Sequence, residues 1–205
     1  MTRWAATLAW LALAGCATGH IPRVPGDPPP AVADAEAERN YQSVLERYTS
    51  ERAVYDNLDT KIFFRATWLS RTFAEARVRR EGMFKAWPTS ELDAKWTAEQ
   101  DRLKGVTEFF FAVHANDYRF DDFEKTNSMW RMVLVVNGEE LPPATVERLG
   151  RTNTEMRSYF SYMESFWVGY RVRFAREVGG ERFTLKLASA LGKAELEYGE
   201  SARQP

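Results

Sequence analysis

One cysteine and two histidines in 205 residues leave little material for metal or redox chemistry. Counts that small exclude a zinc finger, a Cys-rich cluster and an internal disulfide framework. The chain also lacks any run of about 18 consecutive apolar residues, so no helix is expected to span a bilayer. An excess of one charge is missing too: 28 Lys and Arg stand against 29 Asp and Glu, a net charge of −1. A nucleic-acid binder would show a positive excess, and this chain has none. No G-x-S-x-G or S-x-x-K element offers an activated serine, and no G-x-G-x-x-G or Walker-type loop offers a phosphate cradle. What is present is core material. Hydrophobic residues make up 44%, aromatics 14% and charged residues 28%, the mix of a globular protein rather than a disordered one.

The N-terminus carries the most specific pattern. Arg3 gives a short positive region, Trp4 to Ala14 form an apolar run too short to span, and small residues follow. That layout is a secretory signal peptide over 1–15. Leu13, Ala14, Gly15 and Cys16 resemble the lipobox of bacterial lipoproteins. The resemblance covers residues 1–16 only and leaves the body of the chain unassigned. It implies cleavage before Cys16, acylation of Cys16 and anchoring in the cell envelope. Ala17, where an Asp often marks inner-membrane retention, favours the outer membrane, with the body in the periplasm or at the cell surface. Several acyl chains on one residue meet the requirement for stable anchoring.

Residues 16–32 read as the lipidated Cys and a tether, with five of the nine prolines between Pro22 and Pro30. Such a segment extends at about 3.1 Å per residue and holds the body on the order of 40 Å from the lipid. His20 lies within it as a bystander. Residues 33–200 read as a single folded domain, with a short tail at 201–205. The 3.6-residue spacing of Tyr41, Leu45 and Tyr48 predicts a helix from Ala33 to Tyr55, whose apolar stripe packs on the domain or meets a partner. Alternation from Lys61 predicts a strand, and two helical pieces follow as an insertion at 71–104, opened by Thr72-x-x-Glu75 and Ser90-x-x-Asp93. Strands are expected near 107–115 and 129–136, the second running into an Asn137-Gly138 hairpin, and a short or edge strand after Pro142-Pro143. Thr152-x-x-Glu155 predicts a short helix at 153–159. Three antiparallel strands are expected at the end, with Phe166, Val168, Tyr170, Val172 and Phe174 facing the core. Gly179-Gly180 is the expected turn into Phe183, Leu185 and Leu187, and Gly192 the turn into Leu196 and Tyr198. The fold class is therefore α+β: a mostly antiparallel, β-sandwich-like sheet domain of about seven strands, with an N-terminal helix and a helical insertion.

Candidate sites are few. Trp167, Arg171 and Arg173 alternate away from the core face, and an aromatic beside two guanidiniums is the mix enriched at binding hot spots. They form the candidate binding site. His114, on an alternating strand, reads as a packed histidine rather than a base. Asp117, Asp121, Asp122 and Glu124 could offer oxygen ligands to a hard cation, but the spacing is not that of an EF-hand and lacks its Gly, Arg119 competes for the charge, and a solvated loop is the simpler reading. The basic run Arg71, Arg77, Arg79, Arg80 and Lys85 could face an acidic surface or could be an ordinary solvated helix face. No catalytic residue, metal ligand or cofactor is assigned. The expected function is a lipid-anchored envelope protein with a non-catalytic binding or assembly role, partnered by another envelope protein. A polysaccharide-binding module is the first alternative, and a hydrolase with a carboxylate pair the second.

Overall fold

The computed structural model describes residues 35–56 and 59–199. The signal peptide, Cys16, the tether with His20 and the 201–205 tail lie outside the described residues. In chain order the elements are α1 (Ala35–Tyr48), β1 (Thr49–Asp56), β2 (Asp59–Trp68), α2 (Arg71–Lys85), α3 (Thr89–Leu103) and β3 (Thr107–Ala115). A short 3-10 turn at Tyr118–Phe120 precedes β4 (Arg131–Val136), β5 (Glu139–Leu141) and β6 (Thr145–Arg151). The chain ends with α4 (Thr154–Tyr159), β7 (Val168–Phe174), β8 (Phe183–Ser189) and β9 (Gly192–Tyr198). The strands form two antiparallel sheets, a five-stranded one ordered β1-β2-β3-β7-β6 and a four-stranded one ordered β5-β4-β8-β9. The protein is thus α+β and sheet-dominated.

Period-two alternation builds the space between the sheets. Ile62, Phe64 and Ala66 of β2, Phe109, Phe111 and Val113 of β3, and Val168, Tyr170, Val172 and Phe174 of β7 turn one way. They meet Leu134 and Val136 of β4, Phe183, Leu185 and Leu187 of β8, and Leu196 and Tyr198 of β9. Phe64 stacks on Phe111 at 5.7 Å and Trp130 meets Phe64 edge-on at 5.2 Å, so the aromatic content lies largely here. The other face of the five-stranded sheet carries a second apolar layer. Tyr41 and Leu45 of α1, Phe73 of α2, Met156 and Tyr159 of α4, and Phe160 cover Phe110 and Ala112. Phe110 and Phe160 lie parallel with centroids 3.6 Å apart. Three layers result: helices, five-stranded sheet, four-stranded sheet.

Several expectations are corrected. The N-terminal helix stops at Tyr48, and residues 49–56 are an edge strand instead. Thr49 is where the change happens. Its hydroxyl donates to the Leu45 carbonyl at 2.7 Å, closing the last helical turn, and its backbone already pairs with Thr67 of β2. None of the three predicted capping boxes is used: α2 is capped by Ser70, whose hydroxyl accepts the Phe73 N–H, α3 starts after Pro88 without a side-chain cap, and α4 is capped by Asn153 rather than Thr152. The last three strands are not one sheet. β7 belongs to the five-stranded sheet and β8 and β9 to the other, so Gly179-Gly180 lies on a crossover between layers rather than in a hairpin. Phe166 is not a core residue. It lies outside β7, 75% exposed, with φ of 73° in the left-handed region. With β1 and β5 added, the strands number nine among the described residues rather than about seven.

Candidate functional site

A concavity of about 860 Å³ opens at one end of the sandwich. Five segments wall it: the end of α1 (Ser43, Glu46, Arg47, Tyr48), the β2–α2 junction (Trp68 to Thr72), the end of α3 and the chain after it (Gln100 to Val106), the β7–β8 connection (Glu177 to Gly180) and the end of β9 (Tyr198, Gly199). Its volume falls within the range of small-molecule sites. The floor is apolar, because Trp68, Leu69, Val178 and Tyr198 close the end of the sheet core. Trp68 is held edge-on by Phe183 at 4.8 Å and by Tyr48 at 5.7 Å. The far wall is pinned by polar contacts. The Thr107 hydroxyl donates to the Arg176 carbonyl at 2.6 Å, the Val178 N–H donates to Thr107 at 3.1 Å, and the Gly105 N–H donates to the Glu177 carboxylate at 3.1 Å. The cleft is therefore built by fixed elements, with polar groups around an apolar floor. Neither imidazole nor thiol is among its walls.

No family model, no curated protein and no solved structure matches the chain.

The residues singled out from sequence fall elsewhere. Trp167, Arg171 and Arg173 share the face opposite the main core, but they do not converge. At about 3.3 Å per residue, Arg171 and Arg173 lie roughly 13 and 20 Å along the strand from Trp167. Trp167 is only 7% exposed, stacked on His114 at 5.9 Å with the Arg65 guanidinium 5.5 Å from its ring. Arg171 pairs with Glu147 at 3.0 Å, and Arg173 lies 3.1 Å from buried Glu108. The expected exposed stacking platform is thus corrected to a buried tryptophan and two arginines already engaged. His114, half-buried, lies between Trp167 and Phe63, as a packed histidine would. These rings border a shallower groove of about 480 Å³ that also takes in Tyr55 and Glu164.

The acidic loop is bound up in the protein itself. Asp117 meets Arg119, Asp122 accepts from the Ser128 hydroxyl and the Met129 N–H, and Arg148 reaches Asp121 at 2.6 Å and Glu124 at 3.5 Å. The Tyr170 phenol donates to Asp121 as well. Burial and that carboxylate push the Tyr170 hydroxyl far above its ordinary range. Among the described residues no group of three or more acidic, His or Cys side chains is placed to hold a metal ion.

The basic run on α2 is mostly neutralised. Arg79 pairs with Glu75, Lys85 with Glu81, Arg77 with Glu99 at 2.7 Å, and buried Arg80 with Glu38 at 2.6 Å. Arg71 alone of the five has no partner among the described residues, and it lines the large cleft. Sequence reasoning flagged Arg71 as part of a charge run and missed Arg47. The two lie 24 positions apart, and only the packing of α1 against α2 brings both to one rim.

Proposed function

We propose that the protein is a lipid-anchored envelope component that binds a ligand in the cleft between α1, α2, α3 and the β7–β8 connection, without transforming it. One observation carries this reading: a preformed cavity of about 860 Å³ with an apolar floor and a polar rim. A non-catalytic role is supported by the chemistry of the walls. Ser70, one of the hydroxyls there, is engaged in capping α2, and neither an imidazole nor a thiol lines the cleft. Anchoring rests on the lipobox resemblance at Leu13 to Cys16. The test is to purify the lipidated chain from membranes and identify the small molecules that co-elute by mass spectrometry. A stoichiometric compound that is lost on Gly180→Trp supports the reading, since a Cβ at Gly180 meets open space and an indole there fills the cleft mouth. A compound retained by that variant places binding elsewhere.

A second reading, binding of envelope polysaccharide, is favoured by the shallower groove. Tyr55 and Phe63 are exposed there beside Arg65 and Glu164, a combination that can stack on and hydrogen-bond a sugar. Glycan binding abolished by Phe63→Ala and untouched by Gly180→Trp would support this reading over the first.

A further inference from the structure

The charges at the large cleft sort unevenly. Lys104 is paired with Asp101, and the Glu177 carboxylate accepts the Gly105 N–H. That leaves Arg47, Arg71 and Glu46 without partners among the described residues on the α1 and α2 side, two guanidiniums to one carboxylate, while Glu177 keeps its charge on the opposite wall. The contrast along α2 is sharp: Arg77, Arg79, Arg80 and Lys85 are each paired with a carboxylate, whereas Arg71 is not. The first turn of α2 also holds no acidic residue, so the partial positive charge of the helix end adds to the field at the rim. Below the rim the surface is apolar, from Trp68 and Leu69 to Val106 and Val178.

Resting on the cleft reading above, we propose that the ligand is an amphipathic anion, with its apolar body on this floor and a carboxylate or phosphate head against Arg47 and Arg71. Guanidinium forks match the two oxygens of such heads in paired hydrogen bonds. A small polar anion would leave the floor wet, and a neutral apolar ligand would leave both guanidiniums without a counter-charge. Both arginines are exposed, so their attraction is screened by salt and moderate in size.

The full chain carrying Cys16→Ala, purified without detergent, is titrated with anilinonaphthalene sulfonate as the fluorescent probe. Dodecanoate, dodecyl phosphate, dodecanol and inorganic phosphate then compete with it. Dodecanoate or dodecyl phosphate is expected to bind about tenfold tighter than dodecanol, and the tighter of the two anions names the head group. Arg47→Gln and Arg71→Gln should each weaken the anions about three- to tenfold, leave dodecanol unchanged and leave the unfolding midpoint in place. Rising salt should erase the preference. Equal affinity for dodecanol and dodecanoate overturns the anionic head while leaving the cleft standing. Competition by inorganic phosphate as strong as by dodecyl phosphate overturns the apolar body. Binding that Gly180→Trp does not weaken overturns the cleft itself, and with it the function proposed above.

Discussion

Tyr170 shows how much one side chain can carry. Its ring is fully buried between the sheets, while its hydroxyl donates to Asp121 and accepts from Arg148 at 2.6 Å. The ring supplies core volume, and the hydroxyl ties the acidic loop to β6 and β7. Tyr170→Ala should cost about 3–5 kcal/mol, the range for deleting a buried aromatic. Tyr170→Phe keeps the ring and should still cost about 1–3 kcal/mol, because Asp121 and Arg148 lose a shared partner. Urea unfolding of both variants measures the split, and a phenylalanine variant as stable as the parent would show the hydroxyl to be dispensable. Trp167 makes the converse case. A tryptophan read from alternation as an outer-face residue is indeed on that face, yet it is buried within the second apolar layer, against His114 and Arg65. Trp167→Ala should therefore lower stability by about 3–5 kcal/mol rather than leave the melting temperature in place.

The helical hairpin of α2 and α3 is fastened to the five-stranded sheet by charge as much as by packing. Glu99 of α3 lies 2.7 Å from Arg77 of α2 and 2.7 Å from Arg102. Arg102 also meets Glu108, which is fully buried on β3 and draws in Arg171 and Arg173 of β7. Burial alone would raise the Glu99 carboxyl. The Arg102 and Arg77 guanidiniums outweigh it and hold the group down at about 2. A depressed folded-state value means that the unfolded chain takes up protons first. The stabilisation is therefore complete above the ordinary value of 4.5 and is lost as pH falls from there towards 2. Thermal melts from pH 6 to pH 2 should show a drop across that window, and Glu99→Gln should flatten it while lowering the plateau at neutral pH. An unchanged profile would assign the acid sensitivity to other carboxylates. Close packing adds a steric condition to the same hairpin: a Cβ at Gly82, in the last turn of α2, would come within 2.9 Å of the Leu92 side chain of α3, so a larger residue there requires that side chain to shift.

Across the whole molecule, the termini and the folded body answer different questions. On the proposed reading, residence depends on Cys16 and the tether, and binding depends on the cleft at the end of the sandwich. Cys16→Ala should yield a chain that is not acylated and no longer sediments with membranes, measured by labelled-palmitate incorporation and by fractionation in high salt. Retention in the membrane fraction under high salt would mean that something other than lipid anchors it. The body should keep its melting temperature in that variant, because both apolar layers are built from residues between Tyr41 and Tyr198.

Much of this was legible in the residues themselves. Alternation is a local property, so β2, β3, β4, β7, β8 and β9 could be placed from side-chain period alone, and nine of the ten predicted core positions from Phe166 to Tyr198 are buried. The exception, Phe166, continued the alternating pattern one step past the point where the backbone turns to a positive φ. Residues 49–55 were misread because an apolar stripe of helical period ran into them, while the pairing with β2 that makes them a strand involves residues at a distance in the chain. Which sheet each strand joined was decided only by the tertiary structure, since a glycine pair can serve a hairpin or a crossover equally well. The cleft was undetermined by sequence for the same reason. Its walls come from five separated segments, and Arg47 and Arg71 reach a common rim only when two helices pack on one sheet. Period and composition set which faces are apolar, and the packing of those faces set which charges were left without a partner.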